Sequence, residues 1–202
     1  MNTQRAHLEQ DMAALFAAGT KFLIVDTETT GFLNDPRGQI IEIAVITMDG
    51  HAAFSSLFKP DCLVPAKASA VHGLRDADLA NAPTFAEMWA ELLTVLVQYP
   101  LIFAYNVVFD RGMLLKTAKH FKLEVPEWLA AQEWRCMMEA YAVYHGDWHE
   151  WHQSYTYQKL SVACATMHVP LSASHRATGD ALNTLALMKA LAARGAVVSP
   201  TA

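Results

Sequence analysis

Two carboxylates stand two residues apart in Asp26-Thr27-Glu28, at the end of the apolar run Lys21–Asp26 (KFLIVD). Alternate residues of a strand project from the same face, so both acids would point together from a strand end. Strand ends are where α/β sheets present ligand sites. Like charges held side by side repel unless a cation lies between them, which makes the pair a candidate for metal binding; a solvated strand end is the plain alternative. A further acid, Asp110, closes Asn106-Val107-Val108-Phe109-Asp110 directly after the apolar run Leu101–Tyr105, where a strand hands over to a helix. Alone it reads as a helix N-cap. The last cluster is His175-Arg176-Ala177-Thr178-Gly179-Asp180. It opens the final helix, with His175 at the mouth and Asp180 one turn inside an otherwise apolar face. An inward-facing acid is seldom left unpaired. Ser172 or Ser174 is placed to cap this helix and leave His175 able to reach a substrate.

Periodicity supplies the elements that must hold these five groups. Arg5–Ala18 has apolar residues at helical spacing and Gly19 as a stop. Lys21–Asp26 and Gln39–Met48 read as buried strands, and the turn Asp49-Gly50 joins the second to a strand over His51–Lys59. Pro60–Pro83 is loop-rich, with one short helical candidate at Ala66–Val71. Helices are expected over Phe85–Gln98, Asp110–Phe121, Gln158–Met167 and Arg176–Ala193, with a buried strand at Leu101–Tyr105. Trp134–His145 is mixed, a short strand leading into a helix. Strands first, then strands alternating with helices, argue an α/β fold with a mixed sheet.

The chain has 202 residues, 53% apolar and 17% charged, which is one domain able to bury its own core without disulfides. Cys62, Cys136 and Cys164 form no CxxC pair, which suits a reducing cytoplasm. Glu9 and Asp11 interrupt the only apolar stretch of the N-terminus, so it does not read as a signal peptide. The most apolar region, Leu92–Phe109, is broken by Thr94, Gln98, Pro100 and Asn106 and does not read as a membrane span. The formal charge of −5 excludes a polycationic nucleic-acid sleeve. It does not exclude a nucleic-acid enzyme.

DTETTGF at Asp26–Phe32, NVVFD at Asn106–Asp110 and HRATGD at His175–Asp180 resemble, in order and spacing, the three motifs of the DEDDh 3′→5′ exonucleases. That family includes the epsilon proofreading subunit of bacterial DNA polymerase III and RNA-trimming enzymes. Val71-His72-Gly73-Leu74 and Tyr157-Gln158-Lys159-Leu160 are similar to its supporting segments. The resemblance implies a ribonuclease H-like fold: a mixed five-stranded sheet flanked by helices. It divides the chain into an N-terminal helical extension (1–20), an exonuclease domain (21–195) and a short tail (196–202). The activity it implies is hydrolysis of the last phosphodiester at the 3′ end of DNA, single-stranded ends favoured, releasing nucleoside 5′-monophosphates.

Phosphodiester hydrolysis must stabilise a pentacovalent phosphorus, activate water and ease departure of an alkoxide. Two divalent ions held by hard oxygen ligands can do all three, and four carboxylates neutralise two dications. By resemblance, Asp26 bridges both ions, Glu28 and Asp180 serve one and Asp110 the other. The ions implied are Mg²⁺, with Mn²⁺ able to substitute. His175 is implied as the general base toward the attacking water, the proton-transfer role that histidine takes most often. The amides of Thr27, Thr29 and Thr30 are candidates for the terminal 3′-hydroxyl, and Phe32 for a wedge between bases or a simple loop-packing residue. His72 and Asn106 are candidates for contacts with the substrate strand, or else structural residues.

Tyr105 stands where many relatives have histidine, and Trp134-Arg135-Cys136-Met137-Met138 lacks the Asp-Thr that relatives often carry. Tyr144–Tyr157 (YHGDWHEWHQSYTY) reads as an insertion. Within it His145, His149 and His152 fall at i, i+4 and i+7, a zinc-competent face if the segment is helical, which Gly146 argues against. Trp148, Trp151, Tyr155 and Tyr157 would stack single-stranded bases, cover the last helices or meet a partner protein. The N-terminal helix packs on the domain or forms a homodimer contact. The competing functions are an RNA-trimming exonuclease and a silent nucleic-acid or polymerase-binding module. A silent module has no need of four acids and the histidine together.

Overall fold

The computed structural model describes residues 3–172 and 175–197. In chain order the first half runs α1 (Thr3–Ala17), β1 (Phe22–Thr29), β2 (Ile40–Thr47), β3 (Ala52–Leu57), α2 (Ala66–His72), α3 (Asp76–Leu79) and α4 (Phe85–Leu96). The second half runs β4 (Leu101–Ala104), α5 (Val107–His120), α6 (Glu127–Ala131), β5 (Glu133–Cys136), α7 (Met137–His145), β6 (Trp148–His149), β7 (Ser154–Tyr155), α8 (Leu160–Thr166) and α9 (Ala177–Val197). Five strands form one sheet in the order β3-β2-β1-β4-β5. The hairpin pairs β1–β2 and β2–β3 are antiparallel, while β1–β4 and β4–β5 are parallel, so the sheet is mixed as expected.

Strand alternation sorts the core into two layers. Phe22 and Ile24 of β1 face a cluster with Ala44, Ile46, Phe103 and, from the covering helices, Met12, Tyr141, Cys164, Leu185 and Met188. Leu23 and Val25 face the opposite cluster with Phe85, Trp89, Ile102, Met113 and Leu114. The sheet therefore lies between α1, α7, α8 and α9 on one side and α4, α5 and α6 on the other. Each fully buried Leu, Ile or Phe contributes roughly 1.5–3 kcal/mol, and β1 supplies four adjacent buried residues, which fixes its register firmly.

The N-terminal helix is part of this packing. Glycine at 195 lets α9 approach α1 so closely that a Cβ there would lie 2.1 Å from the Glu9 carbonyl oxygen. Arg5 donates from Nε to the Tyr144 carbonyl and from Nη2 to the His145 carbonyl, both at 2.6 Å, and so covers the open C-terminus of α7.

Several local expectations change. The fifth helix begins at Val107, with Asn106 as its N-cap, so Asp110 lies one turn inside and is no cap. A short helix, α3, interrupts the loop-rich Pro60–Pro83, and another, α6, lies between Phe121 and Trp134, where no element is expected. Gly146, at φ 81°, ends α7, and β6 and β7 then form a hairpin. His145, His149 and His152 therefore share no helical face, although the His149 and His152 rings lie 4.4 Å apart. Trp148 packs edge-on against Tyr155, while Trp151 is 88% exposed and so covers no helix. Among the described residues, no helix is long and apolar enough to cross a membrane.

Candidate active site

The same alternation that builds the core delivers the acids. Asp26 and Glu28 continue the face of Phe22 and Ile24, the side on which α9 packs, and there they meet Asp180. One carboxylate oxygen from each of Asp26, Glu28 and Asp180 lies within 4.8 Å of the others. Thr27 continues the other face, toward α5, and its hydroxyl donates to Asp110 Oδ1 at 2.8 Å. Asp110 is 4% exposed and reaches the same cleft from the α5 side. The cleft is lined by Asp26, Thr27, Glu28, Tyr105, Asn106, Phe109, Asp110, Leu160, His175 and Asp180. All five chemistry-bearing groups read from the sequence thus converge.

Burial chiefly holds the Asp26 carboxyl well above the usual aspartate range, and Asp110, Glu28, Asp180 and Glu42 add to the effect. Glu28 is pushed up to about 8, first by burial and then by Asp180, Glu42 and Asp110, with Arg176 pulling the other way. Burial raises Asp110 to about 7 even though hydrogen bonds involving Thr27 draw it down. The protein alone leaves these charges unbalanced. A compact set of hard oxygen donors with unbalanced negative charge fits a divalent cation. Among the described residues no other group of His, Cys, Asp and Glu has metal-binding spacing.

His175 is exposed, takes a left-handed φ of 61°, and donates its backbone N–H to Asp180 Oδ2 at 3.1 Å. Its neighbourhood is anchored on both sides through Glu42 and Asn183, which the sequence motifs do not single out. Arg176 grips Glu42 of β2 through two bonds, Nε to Oε2 at 2.9 Å and Nη2 to Oε1 at 2.8 Å, and Ala177 N–H donates to Glu42 Oε2 at 3.2 Å. Asn183 accepts from the Ser172 amide and hydroxyl at 2.9 and 2.8 Å and donates to Asp180 Oδ1 at 3.3 Å. Ser172 is thereby committed to Asn183 and the Gly179 carbonyl and does not cap α9; Ser174 lies outside the described residues. A lone acid inside the apolar run IIEIAVIT was the one available signal for Glu42.

The expected substrate contacts are placed as follows. Thr29 Oγ1 donates to the Gly31 carbonyl, Thr30 N–H donates to the Gln39 carbonyl, and Thr30 Oγ1 donates to the Arg37 carbonyl. Phe32 is 73% exposed and meets Phe109 edge-on with ring centroids 6.4 Å apart. The Phe32 loop is tied to α5, because Lys116 Nζ donates to the Phe32 carbonyl at 3.1 Å. Asn106 lines the acidic cleft. His72 is 5% exposed, with Nδ1 accepting from the Leu74 amide at 3.1 Å, and burial lowers its pKa. Tyr105, where many relatives have histidine, lines the same cleft, and its hydroxyl donates to the Gln158 carbonyl at 2.7 Å, which ties the end of β4 to the approach of α8.

A cluster of carboxylates at the end of the central strand of a ribonuclease H-like sheet is an arrangement that suits a metal-dependent nuclease. The model of the exonuclease family (RNase_T) matches residues 23–188, and the chain belongs to that family. It is similar to an uncharacterized exonuclease, CP81, of Escherichia phage 186, with 32% identity over 86% of this chain and 89% of the phage protein. It also resembles the DNA polymerase III epsilon subunit of Escherichia coli, 31% identical over 54% of this chain and 47% of that subunit. The chain thus spans about half of the epsilon subunit's length. Among solved structures, exonuclease X in complex with 5′ overhanging duplex DNA superimposes with a TM-score of 0.58 and 25% identity, over 86% of this chain and 93% of that one. The fold and family expectations hold: the chain is a 3′–5′ exonuclease of DEDDh type.

Proposed function

We propose that this exonuclease shortens single-stranded DNA from its 3′ end and releases nucleoside 5′-monophosphates, with two divalent ions held by Asp26, Glu28, Asp110 and Asp180. The observation that carries the reading is the triad of oxygens from Asp26, Glu28 and Asp180 within 4.8 Å, with Asp110 and His175 on the same cleft. When bound, Mg²⁺ or Mn²⁺ would neutralise the phosphoryl oxygens, lower the pKa of the attacking water and favour departure of the alkoxide.

The protein's own contributions follow from placement. His175 takes the proton of the attacking water; its exposed ring can swing toward the phosphate while its backbone is held between Arg176 and Ser172. Thr27 orients Asp110 by donating to one carboxylate oxygen and leaves the other to the cleft. Phe32 and Asn106 steady the terminal nucleotide, Phe32 by stacking on the last base from a loop fixed to α5. Thr27, Thr29 and Thr30 form the wall beside the 3′-hydroxyl, and buried His72 supports that wall from behind. Residues 21–195 form the catalytic unit in this reading, and α1 buttresses α9. The unpaired cysteines Cys62, Cys136 and Cys164 support work in a reducing cytoplasm. Likeness to the epsilon subunit supports action beside a DNA polymerase.

The test uses 5′-labelled single-stranded DNA, duplex DNA and RNA with Mg²⁺ or Mn²⁺, and then with EDTA. A ladder shortening from the 3′ end, fastest on single-stranded DNA and abolished by EDTA, is expected. Asp26→Ala and Asp180→Ala should each abolish it while leaving the circular dichroism spectrum unchanged. Internal cuts, activity that survives EDTA, or near-normal turnover by either variant would defeat the reading.

A further inference from the structure

The acidic cleft opens sideways into a larger one. The second cleft shares Tyr105, Asn106, Leu160, His175 and Asp180 with the first, and then continues past Met138, Tyr157, Lys159 and Leu171. Its volume of about 490 Å³ lies in the range of sites that hold small ligands, roughly 300–1,000 Å³. Its lining is mostly apolar with one cation. Tyr157 is 59% exposed and Leu171 44% exposed, so both present apolar surface to this cleft.

Tyr157 and Lys159 lie two residues apart on an extended segment, Lys159 having φ −66° and ψ 149°. Tyr157 closes the inserted β6–β7 hairpin, whose base is fixed by Thr156 N–H donating to the Asp147 carbonyl at 2.8 Å. The Gln158 carbonyl between them is held by Tyr105. Lys159 is exposed and makes no ion pair among the described residues. An aromatic face and a free ammonium group, presented on a braced segment, match the two halves of a nucleotide: base and phosphate.

We infer that the second cleft holds the nucleotides immediately 5′ of the scissile phosphate, with Tyr157 stacking a base and Lys159 contacting a backbone phosphate. The inference rests on the exonuclease reading above. A scissile phosphate at the acids, with the terminal nucleotide toward Phe32 and Phe109, leaves the rest of the strand to exit past His175, and the second cleft begins there. Lys159 also puts positive charge on the strand path, next to a site that is otherwise acidic.

The experiment compares two substrates with wild-type protein, Tyr157→Ala, Tyr157→Phe and Lys159→Gln. One is a single-stranded oligodeoxynucleotide; the other is thymidine 5′-monophosphate p-nitrophenyl ester, which has no upstream nucleotide. Loss of one stacked base should raise KM for the oligonucleotide on the order of ten-fold in Tyr157→Ala, with Tyr157→Phe close to wild type. Lys159→Gln should raise the same KM and reduce its dependence on salt by about one counterion. Turnover of the ester should stay at the wild-type level in all three. Unchanged oligonucleotide KM in both Tyr157→Ala and Lys159→Gln, or equal losses on both substrates, would overturn the inference. A wild-type protein inactive on both substrates would instead overturn the exonuclease reading itself.

Discussion

The strongest consequence of packing four carboxylates together is a penalty that changes with pH and with metal. Glu28 rises from the ordinary glutamate value of 4.5 to about 8 because burial and Asp180, Glu42 and Asp110 oppose its charge. The native state therefore holds a proton there that the unfolded chain has released. The stability associated with that proton is fully present below the unfolded pKa and is lost as pH rises through the folded one. At about 1.4 kcal/mol per unit, the full shift corresponds to about 5 kcal/mol, and the open side of the cleft screens this to roughly 2–3 kcal/mol. Glu28→Gln mimics the protonated acid at every pH. In EDTA its unfolding free energy, measured by urea titration, should match wild type at about pH 4 and exceed it by roughly 2–3 kcal/mol at about pH 9. Saturating Mg²⁺ should erase or reverse the difference, because the cation stabilises only the charged carboxylate. A difference in EDTA that stays flat with pH, or grows toward acid, would refute the account of the site as a set of uncompensated buried charges.

Two further perturbations test how the site is held. Arg176→Ala leaves Glu42 buried without its bidentate partner, so stability should fall by about 2 kcal/mol, discounted because Arg176 is half exposed, and kcat should fall at least about ten-fold as His175 loses its anchor. Arg176→Lys, which keeps the charge but loses the fork, should recover only part of kcat, and full recovery would show that charge alone suffices. Gly195→Ala would put a Cβ 2.1 Å from the Glu9 carbonyl and drive α1 off α9, lowering stability by roughly 1–3 kcal/mol in the same urea titration. An unchanged midpoint would mean that the two helices do not need that approach.

How much of this was legible in the chain differs by residue. Asp26, Glu28, Asp110, His175 and Asp180 could be read because each closes or opens a strongly periodic element, and their spacing survives folding. Glu42 and Arg176 could not be paired, because 134 residues separate them and neither has a local signature. Asn183 was invisible for a related reason: polar residues on a long amphipathic helix are common, and its link to Ser172 spans a loop. Local patterning also misled. The spacing of His145, His149 and His152 mimics a helical face, but Gly146 in the left-handed region stops α7 at His145 and the chain turns back as a hairpin. The helices α3 and α6, of 4 and 5 residues, are too short to show any period. Asp110 read as a cap because the strand-to-helix boundary was placed three residues late.

The register of one strand pair explains why a fifth acid belongs to this site. Antiparallel pairing puts Glu42 of β2 directly opposite Glu28 of β1, so the two side chains share a face. Left alone, they would add another like-charge contact to an already crowded cluster. Arg176 and the first amide of α9 take Glu42 instead, which commits that carboxylate to the protein and ties the His175 segment to the sheet. The cluster is thereby divided: Glu42 has its cation built in, whereas Asp26, Glu28 and Asp180 have none. Four site acids account for most of the formal charge of −5 and setting them aside leaves −1, so the remaining surface offers nucleic acid little attraction or repulsion. Grip on a strand then depends on compensating those acids with divalent ions. Affinity for a 3′ end should collapse in EDTA along with turnover, and not merely persist as unproductive binding.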